Sequence, residues 1–312
     1  MRYGCRTLSV FFLVLFLFIV VKDERAPKVM GKITIEQLRS HVQSIHFDRN
    51  PNDRYRELEK VAEYIHRNFE TYGLQVTRER FQWEGVEVCN IIGEKRGEIS
   101  PEKVVILGAH YDSVPGSPGA DDNASAVAVL LEVAKYVSSV SLGATVRVIA
   151  FTLEEYGYLG SIYHAKKAKE EGTKIEGMIA LEMVGFTAPT QNYPFYIDPR
   201  FYPSVGDFIG VVANKKSTAL LEKVRSSLKK NIPQLPAEFL TVPGNGEGLE
   251  EVRLSDHSPF WDRGFPALLV TDTSFLRNPN YHLPTDTIET LDFEFMQKVA
   301  VGMYYSVLDL AK

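Results

Sequence analysis

Cysteine is nearly absent. The 312 residues hold two, Cys5 and Cys89, and Cys5 lies ahead of an apolar N-terminal segment. With that segment removed Cys89 stands alone, which excludes an intramolecular disulfide and a thiolate metal site. Positive charge is not in excess either. Lys and Arg total 35 against 40 Asp and Glu, a formal net charge of −5, and no Lys/Arg-rich run is present to follow a phosphate backbone. Nucleic acid is therefore not an expected partner. No repeat and no Gly/Ser- or Pro-rich linker divides the chain, so the stretch 32–312 reads as one catalytic-size domain.

What is present is the composition of a folded protein, 45% hydrophobic and 24% charged, enough to bury a sizeable core. The N-terminus carries Arg2 and Arg6, runs apolar from Leu8 to Val21, and then turns charged at Lys22-Asp23-Glu24-Arg25. This is a basic region followed by a hydrophobic one, shorter than the ~20 residues that span a bilayer as a helix. Residues 1–25 thus read as a signal peptide, or as an anchor if uncleaved, since no small-x-small triplet follows. Either way the expected destination is outside the cytoplasm, secreted, periplasmic or held on the outer membrane face, with membrane contact only through this segment. A lipidated cysteine would follow the apolar run, whereas Cys5 precedes it.

Beyond Lys32 the periodicities are those of a soluble domain. Thr34 with Gln37 three residues on is a capping-box start for a helix to about Ile45. Leu58, Val61, Ala62, Ile65 and Phe69 mark one face of a second helix, Tyr55 to Tyr72, ended by Gly73. Four apolar runs read as buried strands: Val104 to Leu107, Val146 to Phe151, Met178 to Leu181 and Ala267 to Val270. Helical patterns between them, Ala124 to Val137 and Ser161 to Lys169, imply an α/β fold: a mixed, mostly parallel sheet between two helical layers. The stretch 187–254, rich in Pro, Gly, Asn and Tyr around a helix at about Ser217 to Lys230, reads as an excursion forming part of a binding wall.

Each strand run ends in groups able to bind metal or move protons. The first leads into His110 and Asp112, the second into Glu154-Glu155, the third into Glu182, and the fourth is followed by Tyr281-His282. In parallel α/β sheets ligands bind beyond the carboxyl ends of the strands, so these groups are expected to converge. Asp122 lies in a glycine-bordered loop before the Ala124 helix, where it could reach the same place; equally, Asp122 or Asn123 could be a plain N-cap. The Glu154-Glu155 pair fits a hydrolase that needs one ligating carboxylate and one free base, or else a solvated turn. His110 closes an apolar strand, and Asp112 could accept its other ring proton. Asp256 and His257 could lie near the site. His41, His46, His66 and His164 fall in helical, solvated contexts and read as incidental. A set of two His and three carboxylates suits zinc, with cobalt or manganese as alternatives.

Together these residues resemble the co-catalytic zinc exopeptidase family of bacterial leucyl aminopeptidases, glutamate carboxypeptidases, glutaminyl cyclases and transferrin receptor ectodomains. The resemblance runs from about Tyr55 onward. It rests on six motifs in family order: His110-x-Asp112, Gly119-Ala-Asp-Asp-Asn123, Glu154-Glu155, Leu181-Glu-Met183, Ser255-Asp-His257 and Tyr281-His282. It implies that His110 and Glu182 hold one zinc and Glu155 and His282 another, with Asp122 between them, Glu154 as general base and Tyr281 as donor to the developing oxyanion. Asp121 aligns with a non-ligand. Many aminopeptidases of the family have Asp where Glu182 stands, so a single zinc is the alternative to two. The implied activity is removal of N-terminal residues from peptides with free N-termini. A single-zinc glutaminyl-peptide cyclotransferase and a non-catalytic binding module are the alternatives. Arg253 and Arg277 flank the motifs, and Arg253 is a candidate substrate contact.

Overall fold

The computed structural model describes residues 31–312, so the N-terminal segment lies outside the described residues. The first two helices form as their periodicity predicts. Helix α1, Ile35–Ile45, starts on Thr34, whose side chain accepts from the Gln37 amide while the Gln37 side chain accepts from the Thr34 amide. Helix α2, Tyr55–Thr71, buries the five residues of its apolar stripe.

Eight strands follow: β1 (Gln75–Trp83), β2 (Val86–Lys95), β3 (Ser100–His110), β4 (Ala144–Phe151), β5 (Lys174–Glu182), β6 (Ile209–Asn214), β7 (Ala237–Val242) and β8 (Ala267–Thr271). They form one sheet in the order β1-β2-β4-β3-β5-β8-β6-β7. The centre, β4-β3-β5-β8, is parallel; the β1-β2 hairpin and the β6-β8 pairing are antiparallel.

Alternation along the central strands explains why both faces are covered. Val105, Leu107 and Ala109 of β3 join one core with α1, α2, α3 (Ala126–Val137), α5 (Thr218–Asn231) and α7 (Phe293–Leu310), while Val104 and Ile106 face the other. The second core is closed by α4 (Leu159–Glu170) and α6 (Ser258–Asp262). Successive residues of a strand point to opposite faces, so a strand apolar at every position must be buried twice.

The segment 187–254 is more than an excursion. It supplies β6 and β7, which extend the sheet beyond β8, as well as α5. Their short runs, Ile209–Asn214 and Ala237–Val242, carry Gly210 and Glu238 among apolar residues and so lack a continuous apolar signature. Two histidines placed in solvent by the sequence reading are buried instead. His41 contacts Tyr64 and Glu132, and His164 contacts Glu79, because both lie on the packed side of their helices.

Candidate metal centre

The parallel strands deliver their C-terminal residues to one end of the sheet. His110 is the last residue of β3 and Glu182 the last of β5; Glu154 and Glu155 follow β4, and His282 follows β8. The chain turns sharply at these points. Leu153, Met183 and His282 all have positive φ, at 57°, 46° and 60°, a region that residues with a Cβ rarely occupy. Complete burial of the Leu153 and Met183 side chains holds the first two turns in place, and such strain collects where function fixes side-chain direction.

Asp122 is the hub. Its Oδ1 lies 3.3 Å from His110 Nε2 and its Oδ2 lies 3.2 Å from His282 Nε2. On one side His110 Nε2 is 3.4 Å from Glu182 Oε2 and 3.9 Å from Glu154 Oε2. On the other side His282 Nε2 is 3.1 Å from Glu155 Oε2. These contacts are close without being hydrogen bonds. Both Nε2 atoms, Asp122 Oδ1 and Glu155 Oε1 are buried with no hydrogen-bond partner, so the groups point at shared centres rather than at one another. Ligands about 2.0 to 2.1 Å from a tetrahedral zinc are separated by about 3.3 Å, which is the spacing found here. Two overlapping triads, His110-Glu154-Glu182 and His110-Asp122-Glu155, each offer three ligand atoms within 4.8 Å of one another. The donor set therefore fits a divalent metal.

Electrostatics point the same way. Burial pushes the Glu155 carboxyl up to about 8, with Asp122 adding to the rise, and burial also raises Glu154 well above the carboxylate range. Burial opposes a charge on His282, yet the carboxylates of Asp122 and Glu155 lift it to about 10; Glu182 and Glu154 likewise overcome burial at His110. The same imidazoles hold Asp122 below its usual range against its own burial. So many acids in a dry site keep their protons unless a cation replaces them.

A supporting layer fixes these side chains. Asp112 Oδ1 is 3.5 Å from His110 Nδ1, and its two oxygens accept the backbone amides of Glu154 and Glu155. Asn123 bridges to β5, accepting from the Met183 amide and donating to the Leu181 carbonyl. Ser255 donates to Glu182 Oε2 at 2.8 Å. Two residues that sequence reasoning missed grip the Asp122 loop. Arg49, fully buried, donates to the carbonyls of Tyr111, Pro118 and Gly119; Asp286 accepts the amides of Asp121 and Asp122 at 2.9 and 3.1 Å. Only a lone Arg and a lone Asp mark them in the sequence, with no motif around either.

The N-cap reading of Asp122 and Asn123 and the substrate-contact reading of Arg253 are corrected, while the other residues named from the sequence take the places that follow. Asp122 and Asn123 are not caps: α3 starts after Ser125 and has no side-chain cap, the Asp122 carboxylate being turned to the cluster and the Asn123 carboxamide to the backbone at the end of β5. Arg253 does not face the cluster, because its guanidinium pairs with Asp262 and the Asn245 carbonyl. Arg277 is committed to Gln191 and to the carbonyls of Phe186 and Phe208. His257 lies 2.8 Å from the Val252 carbonyl and is pushed down to about 3 by burial, so it is a neutral structural ring. Asp256 is buried behind the cluster, where burial raises it to about 7 against the pull of His110. Tyr281 stacks on the His282 ring at 3.7 Å and lines a cavity of about 330 Å³ that opens from the cluster. Asp121 is bonded to the Gly185 amide and Asn278, away from the shared centres.

A family model described as Peptidase family M28 matches residues 90–307, a span that includes all six motifs. The chain belongs to this family. Among similar proteins, uncharacterized protein YfbL of Escherichia coli is 33% identical over 95% of this chain and 94% of its own length. Aminopeptidase YwaD of Bacillus subtilis is 31% identical over 70% of this chain, but the match takes in only 44% of that longer protein. The fold is also that of an aminopeptidase from Aneurinibacillus sp. strain AM-1, with a TM-score of 0.71 at 17% identity, covering 91% of this chain and 96% of that one. Membership makes the chain a peptidase-type hydrolase with a metal centre of the kind its acids and imidazoles form.

Proposed function

We propose that this M28 peptidase is a zinc aminopeptidase that removes single residues from peptides with free N-termini. The observation that carries the reading is Asp122, whose two oxygens each sit against a different imidazole. His110 and Glu182 would hold one ion, Glu155 and His282 the other, and Asp122 both. When bound, zinc supplies Lewis-acid polarisation of the scissile carbonyl and lowers the pKa of the attacking water. Glu154 lies beside this set but farther from His110 than Asp122 or Glu182, which suits a base rather than a ligand. It accepts the proton of the water and returns it to the departing amine. Burial, with the neighbouring acids Glu182 and Glu155 adding to it, raises Glu154 above the ordinary carboxylate range, which strengthens it as a proton acceptor. Tyr281 donates to the developing oxyanion, a bond of a kind that contributes roughly 3 to 4 kcal/mol. A free α-amine would be selected by contacts with the metal and the carboxylates at this end of the cavity, contacts that a blocked N-terminus cannot make.

The basic-then-apolar N-terminus supports export as the setting in which the enzyme meets peptides. The deciding experiment combines zinc quantification with hydrolysis of aminoacyl-p-nitroanilides and their N-acetylated counterparts, plus cyclisation of a glutaminyl peptide. Zinc with turnover of free but not acetylated substrates is the expected result. Cyclisation without hydrolysis would make the protein a glutaminyl cyclase, and zinc without turnover of either would leave a binding module.

A further inference from the structure

The cavity beyond the cluster is walled by aromatic rings and floored by the outer strands of the sheet. Register carries a straight row across that floor. Glu182 of β5 faces Thr271 of β8, Thr271 faces Gly210 of β6, and Gly210 faces Glu238 of β7. All four residues line the cavity. The pleat explains their shared direction. Val212 and Leu240, two places along from Gly210 and Glu238, pack toward the α4/α6 side, while the intervening Val211 and Phe239 pack into the opposite core. Gly210 has no side chain, and thus leaves a clear notch between the metal end and Glu238.

Glu238 is a partly buried acid on the cavity wall with no partner among the described residues. Among the described residues no hydrogen bond or ion pair reaches its carboxylate, and Arg225, the cation it feels, lies over the Phe239 ring at 4.5 Å on the opposite side of the sheet. Its partial burial raises its pKa somewhat, against the pull of Arg225. The neighbouring hydroxyls do not relieve it. Tyr193 donates to the Pro203 carbonyl and Tyr196 to Glu251, so neither of these hydroxyls is directed at Glu238.

We propose that this cavity selects a basic first residue, lysine or arginine, whose charge pairs with Glu238. The inference rests on the aminopeptidase reading for the position of the substrate amine, at the cluster beside Glu182. Three strand spacings of about 4.8 Å put about 14 Å between Glu182 and Glu238, and because both side chains rise from the same face of the sheet, about the same distance separates their carboxylates. A substrate Cα held about 3 Å from the ion that binds its amine, a lysine or arginine charge about 6 to 7 Å farther on, and a charge-to-carboxylate contact of about 3 to 4 Å together span that distance. Leucine and phenylalanine end about 3 to 5 Å from Cα and leave the acid unpaired. The tyrosine and phenylalanine rings suit both the aliphatic stem and the cationic tip, since ring faces attract cations.

The test compares kcat/KM for Lys-, Arg-, Leu- and Phe-p-nitroanilide in the zinc-loaded wild type, Glu238→Gln and Glu238→Lys. The expected result is at least a tenfold wild-type preference for Lys and Arg over Leu. Glu238→Gln should remove most of that preference and leave Leu within about twofold, and Glu238→Lys should invert it. A wild-type preference for Leu or Phe, or an equal loss on all substrates, overturns the proposal. Calorimetric binding of L-argininamide and L-leucinamide reads the cavity without turnover. Tenfold weaker argininamide binding by Glu238→Gln supports the pairing even if no substrate is hydrolysed, an outcome that would sink the aminopeptidase reading alone. Unchanged argininamide binding overturns the pairing.

Discussion

Asp286 gives a sharp test of how the metal loop is held. Its two oxygens accept the amides of Asp121 and Asp122, so it acts on the backbone of the bridging carboxylate without touching the shared centres. Asp286→Asn keeps one acceptor and turns an NH2 group toward the second amide. One charge-assisted hydrogen bond is lost and one becomes neutral, a cost of about 2 kcal/mol at this loop. The wild-type acid is itself uncomfortable, since burial pushes it up to about 6, and the uncharged amide escapes that penalty. The two effects oppose each other in the stability of the metal-free protein, whereas only the first acts on Asp122. Zinc affinity should therefore fall roughly 30-fold, the equivalent of 2 kcal/mol, while the melting temperature of the metal-free protein moves by only a few degrees. Competition with a chromophoric chelator measures the affinity, and circular dichroism the melting. A variant with native melting and zinc affinity within twofold of wild type would refute the positioning role.

Other consequences are equally direct. Glu154→Gln should bind zinc normally and lose about 10² to 10⁴ in kcat, read by p-nitroanilide turnover beside metal analysis; an active variant would remove Glu154 from the mechanism. Asp122→Asn should cut zinc binding more severely than Glu182→Asp, because Asp122 meets both imidazoles and Glu182 only one; equal losses would deny Asp122 its bridging place. Gly160→Ala places a Cβ 2.3 Å from the Thr152 carbonyl and 2.4 Å from Asn90 Oδ1, so the turn carrying Glu154 and Glu155 must shift; a loss of about 3 kcal/mol or more is expected in urea unfolding. Asp272, Asp286 and Asp256 have folded pKa values of about 6, about 6 and about 7, all raised by burial above the usual 3.8. A raised acid stabilises the fold below its unfolded pKa and loses that contribution as pH climbs through the folded one. Metal-free protein should thus melt at lower temperature as pH rises from about 4 to 7, whereas stabilisation by added zinc should grow over the same interval; a flat metal-free profile would contradict the shifts.

The sequence made the central sheet and the convergence of its strand ends legible because each run was apolar throughout and ended abruptly in a polar group. Val104 to Leu107 followed by His110 is the clearest instance. The outer strands were not legible, since Ile209–Asn214 and Ala237–Val242 have one face on the core and the other on a cavity that holds a glycine and a glutamate. Histidine burial was misjudged for a related reason. A polar ring on a helix looks solvated until its partner, Glu132 for His41 or Glu79 for His164, arrives from a distant element. Arg253 sits close in sequence to the Ser255-Asp-His257 motif, but a short helical turn carries its side chain outward to Asp262. Arg49 and Asp286 escaped notice because their partners are main-chain groups, which leave no trace in side-chain patterns.

The double grip on the Asp122 loop bears on when the enzyme can become active during its own synthesis. Arg49 reaches the loop across a sequence separation of 70 residues, and Asp286 across 165. A nascent chain has the first clamp early but lacks the second, along with His282, until Asp286 has left the ribosome. The loop would remain half-anchored until then, so the full ligand set, with Asp122 gripped from both sides, would be assembled only after β8 and the loop beyond it are made.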